Sequence, residues 1–214
     1  MHTRRQFLRY MTGMAGTLVV FPTIYSCTPT SGTILNNIPF TKPENWDPIA
    51  YNRKRGNAGA IPNSYLPDIN GPEGVKKHLG KHLPYLPEVD PAVAPGGFIP
   101  LMWGDPSLGY VRHPNAVPNK DNNHEGHWYN WIKIRKATPM WAKTAESTYV
   151  NWPEAKDPST GAYAVYGGGD IEEDSGKNTI YLAKLPPDVE PGDQVRIWAH
   201  CLRHGEYIDF ITLS

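Results

Sequence analysis

The chemistry of this chain gathers where one alternating stretch ends in a turn. In Val195-Arg196-Ile197-Trp198-Ala199-His200-Cys201, successive side chains of a strand point to opposite faces, so Val195, Ile197, Ala199 and Cys201 share one face and His200 takes the other. Leu202-Arg203-His204-Gly205 then turns the chain, which brings a thiol and an imidazole close enough to hold one ion, with Gly205 letting the backbone bend away. One other cysteine exists, Cys27, and the eight histidines are His2, His78, His82, His113, His124, His127, His200 and His204. Neutral imidazoles suit first-row metals of intermediate hardness, and a single thiolate adds electron density and one negative charge. A Cys-x-x-His pair alone is a weak signal. His78 and His200 read as surface groups or supports, and Trp128, Trp131 and Trp198 as core packing rather than electron relays.

The combination of motifs is more specific. Lys81-His82-Leu83-Pro84, then His113-Pro114-Asn115, then His127 followed by Trp131-Ile132, and last Cys201-x-x-His204-Gly205 resemble, in order, the iron-site motifs of the superoxide reductase family, which includes neelaredoxin and the iron domain of desulfoferrodoxin. The resemblance covers roughly Gly80 to Ser214, about two thirds of the chain, and the motifs rather than the residues between them carry it. It implies an all-β, immunoglobulin-like antiparallel sandwich holding one non-haem iron (Fe2+/Fe3+) per chain. Equatorial ligands would be His82, His113, His127 and His204, the axial ligand would be the Cys201 thiolate, and Lys81 would attract superoxide and help protonate the product. The implied reaction is superoxide plus one electron plus two protons giving hydrogen peroxide. The electron donor is left unknown, and a homo-oligomer is left open.

The sequence also departs from the family pattern. Members commonly carry Glu before the Lys-His pair, where its carboxylate can close the sixth iron position; here the residue is Gly80. Asn119-Lys120-Asp121-Asn122-Asn123 lengthens the stretch between His113 and His127, which makes His124 a rival for the third ligand. His127 is preferred because its spacing to Trp131-Ile132 fits the motif. No cysteine-rich rubredoxin-like stretch precedes the motifs, which fits the one-iron type, and the extension before Gly80 has no counterpart in compact family members.

The elements that must position these residues read as strands: Phe98 to Trp103, with Pro100 arguing for an edge; His127 to Arg135, with aromatics on both faces and so central; and Thr148 to Trp152, Ala162 to Tyr166, Thr179 to Leu185, Gln194 to Cys201 and Glu206 to Leu213. Turn clusters such as Asp157-Pro158-Ser159-Thr160-Gly161, Gly167-Gly168-Gly169-Asp170 and Pro186-Pro187-Asp188 separate them, the signature of an antiparallel sandwich. The alternation places Trp128, Asn130, Ile132 and Ile134 on one face and His127, Tyr129, Trp131 and Lys133 on the other. The run Asp170-Ile171-Glu172-Glu173-Asp174 lacks the spaced ligands and Gly of an EF-hand loop and reads as a solvated acidic turn.

With 214 residues, 21 Lys+Arg against 21 Asp+Glu, and Gly (20) plus Pro (22) short of the roughly 25–30% that marks disorder, the chain reads as folded and loop-rich, with no charge excess to favour nucleic acid. Residues 1–26 carry Arg4, Arg5 and Arg9, no acid, and then an apolar stretch broken by Gly13, Gly16 and Pro22; this is a leader, and Thr3-Arg4-Arg5-Gln6-Phe7-Leu8 resembles the twin-arginine signal. Ile24-Tyr25-Ser26-Cys27 looks like a lipoprotein cleavage box, so a lipid anchor at Cys27 is one reading, and ordinary cleavage nearby or a disulfide to Cys201 are the others. The expected organisation is a signal peptide over 1–26, a tether and loop-rich extension over 27–79 and the iron-binding sandwich over 80–214, in a protein that is periplasmic or anchored to the membrane. Two other functions keep parts of this reading: an exported electron-transfer or metal-carrying sandwich whose site is closed to superoxide, and a metal-free sandwich lipoprotein that binds partners through aromatic surface.

Overall fold

Runs of β-branched and aromatic residues cut by Gly, Pro, Asn and Asp favour short paired strands over helices. A computed structural model describes residues 31–139, 141–152, 162–168 and 173–214. Among these the strands are β1 (Pro84–Tyr85), β2 (Phe98–Trp103), β3 (Tyr129–Lys136), β4 (Thr144–Thr148), β5 (Ala162–Tyr166), β6 (Thr179–Lys184), β7 (Gln194–Cys201) and β8 (Gly205–Thr212). They form two antiparallel four-stranded sheets, ordered β1-β2-β6-β5 and β4-β3-β7-β8. The expected sandwich is therefore the architecture observed. Leu101, Trp103, Tyr181 and Ala183 from one sheet meet Tyr129, Ile132, Ile134, Val195, Ile197, Ala199 and Cys201 from the other in a single buried cluster. Burying each large apolar side chain there contributes on the order of 1.5–3 kcal/mol.

Two local features decide where the site residues point. On β7 the alternation holds without interruption: Val195, Ile197, Ala199 and Cys201 are buried and His200 faces outward. On β3 it breaks. Tyr129 pairs with Cys201 and Trp131 with His200, so Asn130 is an extra residue, a bulge that flips the face between them. Tyr129 consequently joins Ile132 and Ile134 in the core, while Trp131 and Lys133 stay outside, a correction to the two faces expected for this strand. Trp131 and Trp198 are also not core residues. They are half-buried on the outer surface, edge to face at 5.5 Å, with the Lys133 ammonium over both rings. Trp128 is core as expected.

The stretch expected as a strand from Thr148 to Trp152 pairs earlier, over Thr144–Thr148. Its aromatics report two anchors rather than a ladder: the Tyr149 hydroxyl donates to the Leu182 carbonyl at 3.1 Å and Trp152 Nε1 to Thr179 Oγ1 at 2.9 Å, whereas Val150 between them is exposed. Pro100 sits where the sheet tolerates it, because β1 reaches only Met102 and Trp103 of β2.

The described part of the extension, 31–79, is loop with short helices, α1 (Ser31–Asn36), α2 (Pro48–Arg55) and α3 (Leu66–Asn70), and helical turns at Gly56–Ala60 and Gly74–Leu79. α2 starts on Asp47, whose carboxylate accepts the Ala50 N–H at 3.0 Å, with Pro48 in the first turn. This segment is packed, not trailing: Ile61, Tyr65, Ile69 and Leu79 bury themselves around Tyr207 of β8. The expected short turn near Glu73 to Leu79 is present, and the boundary drawn between 79 and 80 falls between it and the turn Gly80–His82. No helix among the described residues is long and apolar enough to cross a membrane. The leader, Cys27, the cluster 157–161, Gly169 and residues 170–172 of the acidic run lie outside the described residues.

The outer edge of β8 would leave backbone groups unpaired, and fully buried Asn52 supplies the partners. Its Nδ2 donates to the Ile208 carbonyl at 2.8 Å and its Oδ1 accepts the Ile208 N–H at 2.9 Å, as a neighbouring strand would. Asn52→Ala strands both groups and should lower unfolding free energy by about 2–3 kcal/mol in chemical denaturation. A loss below about 0.5 kcal/mol would show that the edge finds other partners.

Candidate metal centre

Four separate elements deliver the side chains. The turn Gly80–His82 ends as Leu83 becomes extended, and this places His82 just before β1. His113 follows β2, its N–H donating to the Trp103 carbonyl at 3.0 Å. His127 is fixed by a two-way bridge with Ala116, at 2.8 and 2.9 Å, just before β3. Cys201 closes β7, and His204 sits in the three-residue loop of the hairpin in which Cys201 pairs with Gly205. Gly205 takes a positive φ of 81°, and its Cα lies so near the chain at Ala60 that an added Cβ would stand 2.2 Å from the Ala60 carbonyl oxygen.

One donor atom from each of His82, His113, His127, Cys201 and His204 lies within 4.8 Å of all the others. His204 turns Nδ1 to the group: it stands 3.1 Å from His82 Nε2, 3.1 Å from His127 Nε2 and 3.6 Å from Cys201 Sγ. Nitrogen donors about 2.1 Å from a first-row metal and at right angles to one another stand about 3.0 Å apart, close to the spacing found here. His82 is oriented from behind, since its Nδ1 lies 2.5 Å from the His78 carbonyl and donates there, leaving the Nε2 lone pair for the centre. Among the described residues neither ring nitrogen of buried His113 finds a hydrogen-bond partner, an expensive omission unless something else takes a lone pair. These features fit a bound cation.

Burial sets the charge states. It holds His82 and His113 well below the usual imidazole range and, with help from the Lys81 charge, His127 down to about 3 and His204 to about 2. All four are thus neutral donors near pH 7. The same burial pushes the Cys201 thiol up to about 12, so the protein holds it protonated and a metal ion must displace the proton. Burial also lowers the half-buried Lys81 to about 8.

Aromatic rings wall the group. Tyr207 stacks on His82 at 4.1 Å and 7°, Tyr65 on His204 at 3.9 Å and 24°, and Tyr129 lies 4.7 Å from His113. The sequence marks none of these three as functional, because tyrosines are numerous in it and these carry no motif. His124 is exposed with a positive φ of 59° and stands outside the group. His200 also stands apart, its Nδ1 2.6 Å from Asn130 Oδ1 and its ring stacked on Trp131. At Gly80 an added Cβ would lie 2.3 Å from Tyr110 Cδ1, so the ring of Tyr110 fills the room a Glu side chain would need.

A two-sheet antiparallel β-sandwich with four histidines and a cysteine converging between strand ends is the class of protein these observations define. No protein-family model matches the chain, and no curated protein matches it. Among solved structures it is similar to a point variant of the superoxide reductase (neelaredoxin) from Archaeoglobus fulgidus in the reduced form, at 16% identity and a TM-score of 0.29, over 63% of this chain and 90% of that one.

Proposed function

We propose that the chain is a superoxide reductase that binds one iron through His82, His113, His127, His204 and Cys201. The observation that carries the reading is the five-donor group itself, whose chemistry, four neutral imidazoles and one thiol, suits an octahedral ion with one position left for a small molecule. Ferrous iron held there would supply the single electron that turns superoxide into peroxide. The chain's own residues do the rest. Cys201 as thiolate adds negative charge and electron density, which favours giving up the electron. Lys81, next to His82 and close enough to depress the neighbouring imidazoles, adds a positive charge that draws the anion in and offers a proton to the product.

The test is anaerobic purification, metal quantitation, and a pulse of superoxide delivered to the reduced protein. The expected result is about one iron per chain and rapid stoichiometric oxidation with peroxide formed. Iron without that reaction supports the electron-transfer or metal-carrying alternative, and less than about a tenth of an equivalent of any metal supports the metal-free one. Lys81→Ala should slow the second-order reaction about tenfold and flatten its dependence on ionic strength, since attraction at range is screened over about 10 Å at 0.1 M salt. An unchanged rate removes Lys81 from this role. Export is part of the proposal, supported by Arg4-Arg5 and the stretch before Cys27, and the mature protein should show an acylated N-terminal Cys27 by mass spectrometry. An intact or differently cut N-terminus would count against the anchor.

A further inference from the structure

Tyr65 belongs to the extension, yet it touches one candidate ligand, the support of a second and the cation proposed to serve them. Its ring stacks on His204 at 3.9 Å. Its hydroxyl lies 2.9 Å from His78 Nδ1, and the carbonyl of the same His78 receives His82 Nδ1. The Lys81 ammonium lies over its ring, 5.3 Å from the centroid. The residue is 7% exposed and is gripped by Ile61, Ile69, Leu79 and Tyr207, so the ring has little freedom to leave. A flat, immobile aromatic surface can hold an imidazole plane by stacking and an ammonium by its quadrupole at once.

We infer that Tyr65 is a positioning residue of the metal centre: it fixes the plane of His204 and parks the Lys81 ammonium beside the donor group, which makes the extension before Gly80 a part of the site. This rests on the metal-centre reading, and for Lys81 on the superoxide reading. The phenol oxygen serves only to tie Tyr65 to His78, so the ring carries most of the effect.

The experiment uses the full chain with cobalt(II) as a spectroscopic probe, followed by the superoxide rate against ionic strength in the iron form. Tyr65→Phe keeps the ring and should leave cobalt affinity and the thiolate-to-cobalt band within about twofold of wild type. Tyr65→Leu should weaken cobalt binding about tenfold, shift the band, and flatten the salt dependence of the superoxide rate toward that of Lys81→Ala. A purely packing role would lower stability without moving the salt dependence. Wild-type behaviour of Tyr65→Leu in both measurements overturns the inference and leaves the metal centre standing, whereas wild-type protein that binds no cobalt overturns both. Should Tyr65→Leu fail to fold, NMR of the zinc-loaded wild type decides: Lys81 ε-methylene signals moved upfield by the Tyr65 ring support the inference, and signals at their random-coil position overturn it.

Discussion

Cys201→Ser should remove the thiolate-to-metal charge-transfer band from the visible spectrum of the oxidised protein and bring the reaction with superoxide below about a hundredth of the wild-type rate. Serine fills nearly the same space in a fully buried position, so the fold has little reason to change. What changes is chemistry. A thiol can give up its proton to a metal ion and become a charged, polarisable donor, while a buried hydroxyl stays neutral and hard. Replacing groups that merely support metal ligands costs roughly 10–100-fold, so losing the charged donor itself should cost more. His200→Ala is the control one residue away: His200 points outward onto Trp131 and should leave the metal and its spectrum in place. If Cys201→Ser retains both band and rate, the proposed ligand set is wrong.

Cys201 could be placed from sequence because β7 is an uninterrupted strand, and period-two alternation alone sends 195, 197, 199 and 201 inward. β3 was not legible in the same way. Its bulge at Asn130 depends on how it pairs with β7, a non-local fact that no pattern within 127–135 encodes, and the bulge is what lets Tyr129 and Ile132 both face the core. His113 lies in a loop and His82 at the end of a helical turn, where side-chain direction is set by tertiary bridges, so their convergence could be expected only through the motif resemblance. The role of segment 48–79 was hidden for a related reason. Its apolar residues sustain no helical or strand period, because Pro62 and Pro67 interrupt the four-residue spacing of Ile61, Tyr65 and Ile69 and these dock around Tyr207 of β8 from a succession of short turns. Tyr65 and Asn52, two of the residues by which the segment engages the sandwich, are distinguished only by what they meet across the fold.

That same docking yields the second large effect, at Gly205. Two demands coincide there. The φ of +81° costs an L side chain roughly 1–2 kcal/mol. The added Cβ would also stand 2.2 Å from the Ala60 oxygen and 3.0 Å from Ile61 Cα, both backbone atoms that cannot swing aside as a side-chain tip can. Gly205→Ala must therefore push the β7–β8 hairpin away from residues 60–62, and the hairpin carries His204 while the other side carries Tyr65 a few residues on. We expect a stability loss of about 3 kcal/mol or more, and at least a tenfold loss of cobalt affinity as His204 moves off its stack. Gly192→Ala separates the two causes: it has a φ of +88° but nothing among the described residues within 4 Å of the added Cβ, so it should cost only about 1 kcal/mol and leave cobalt binding untouched. Equal losses for the two variants in thermal and chemical denaturation would mean that conformation alone matters, and that the extension does not press on the hairpin that presents the metal ligands.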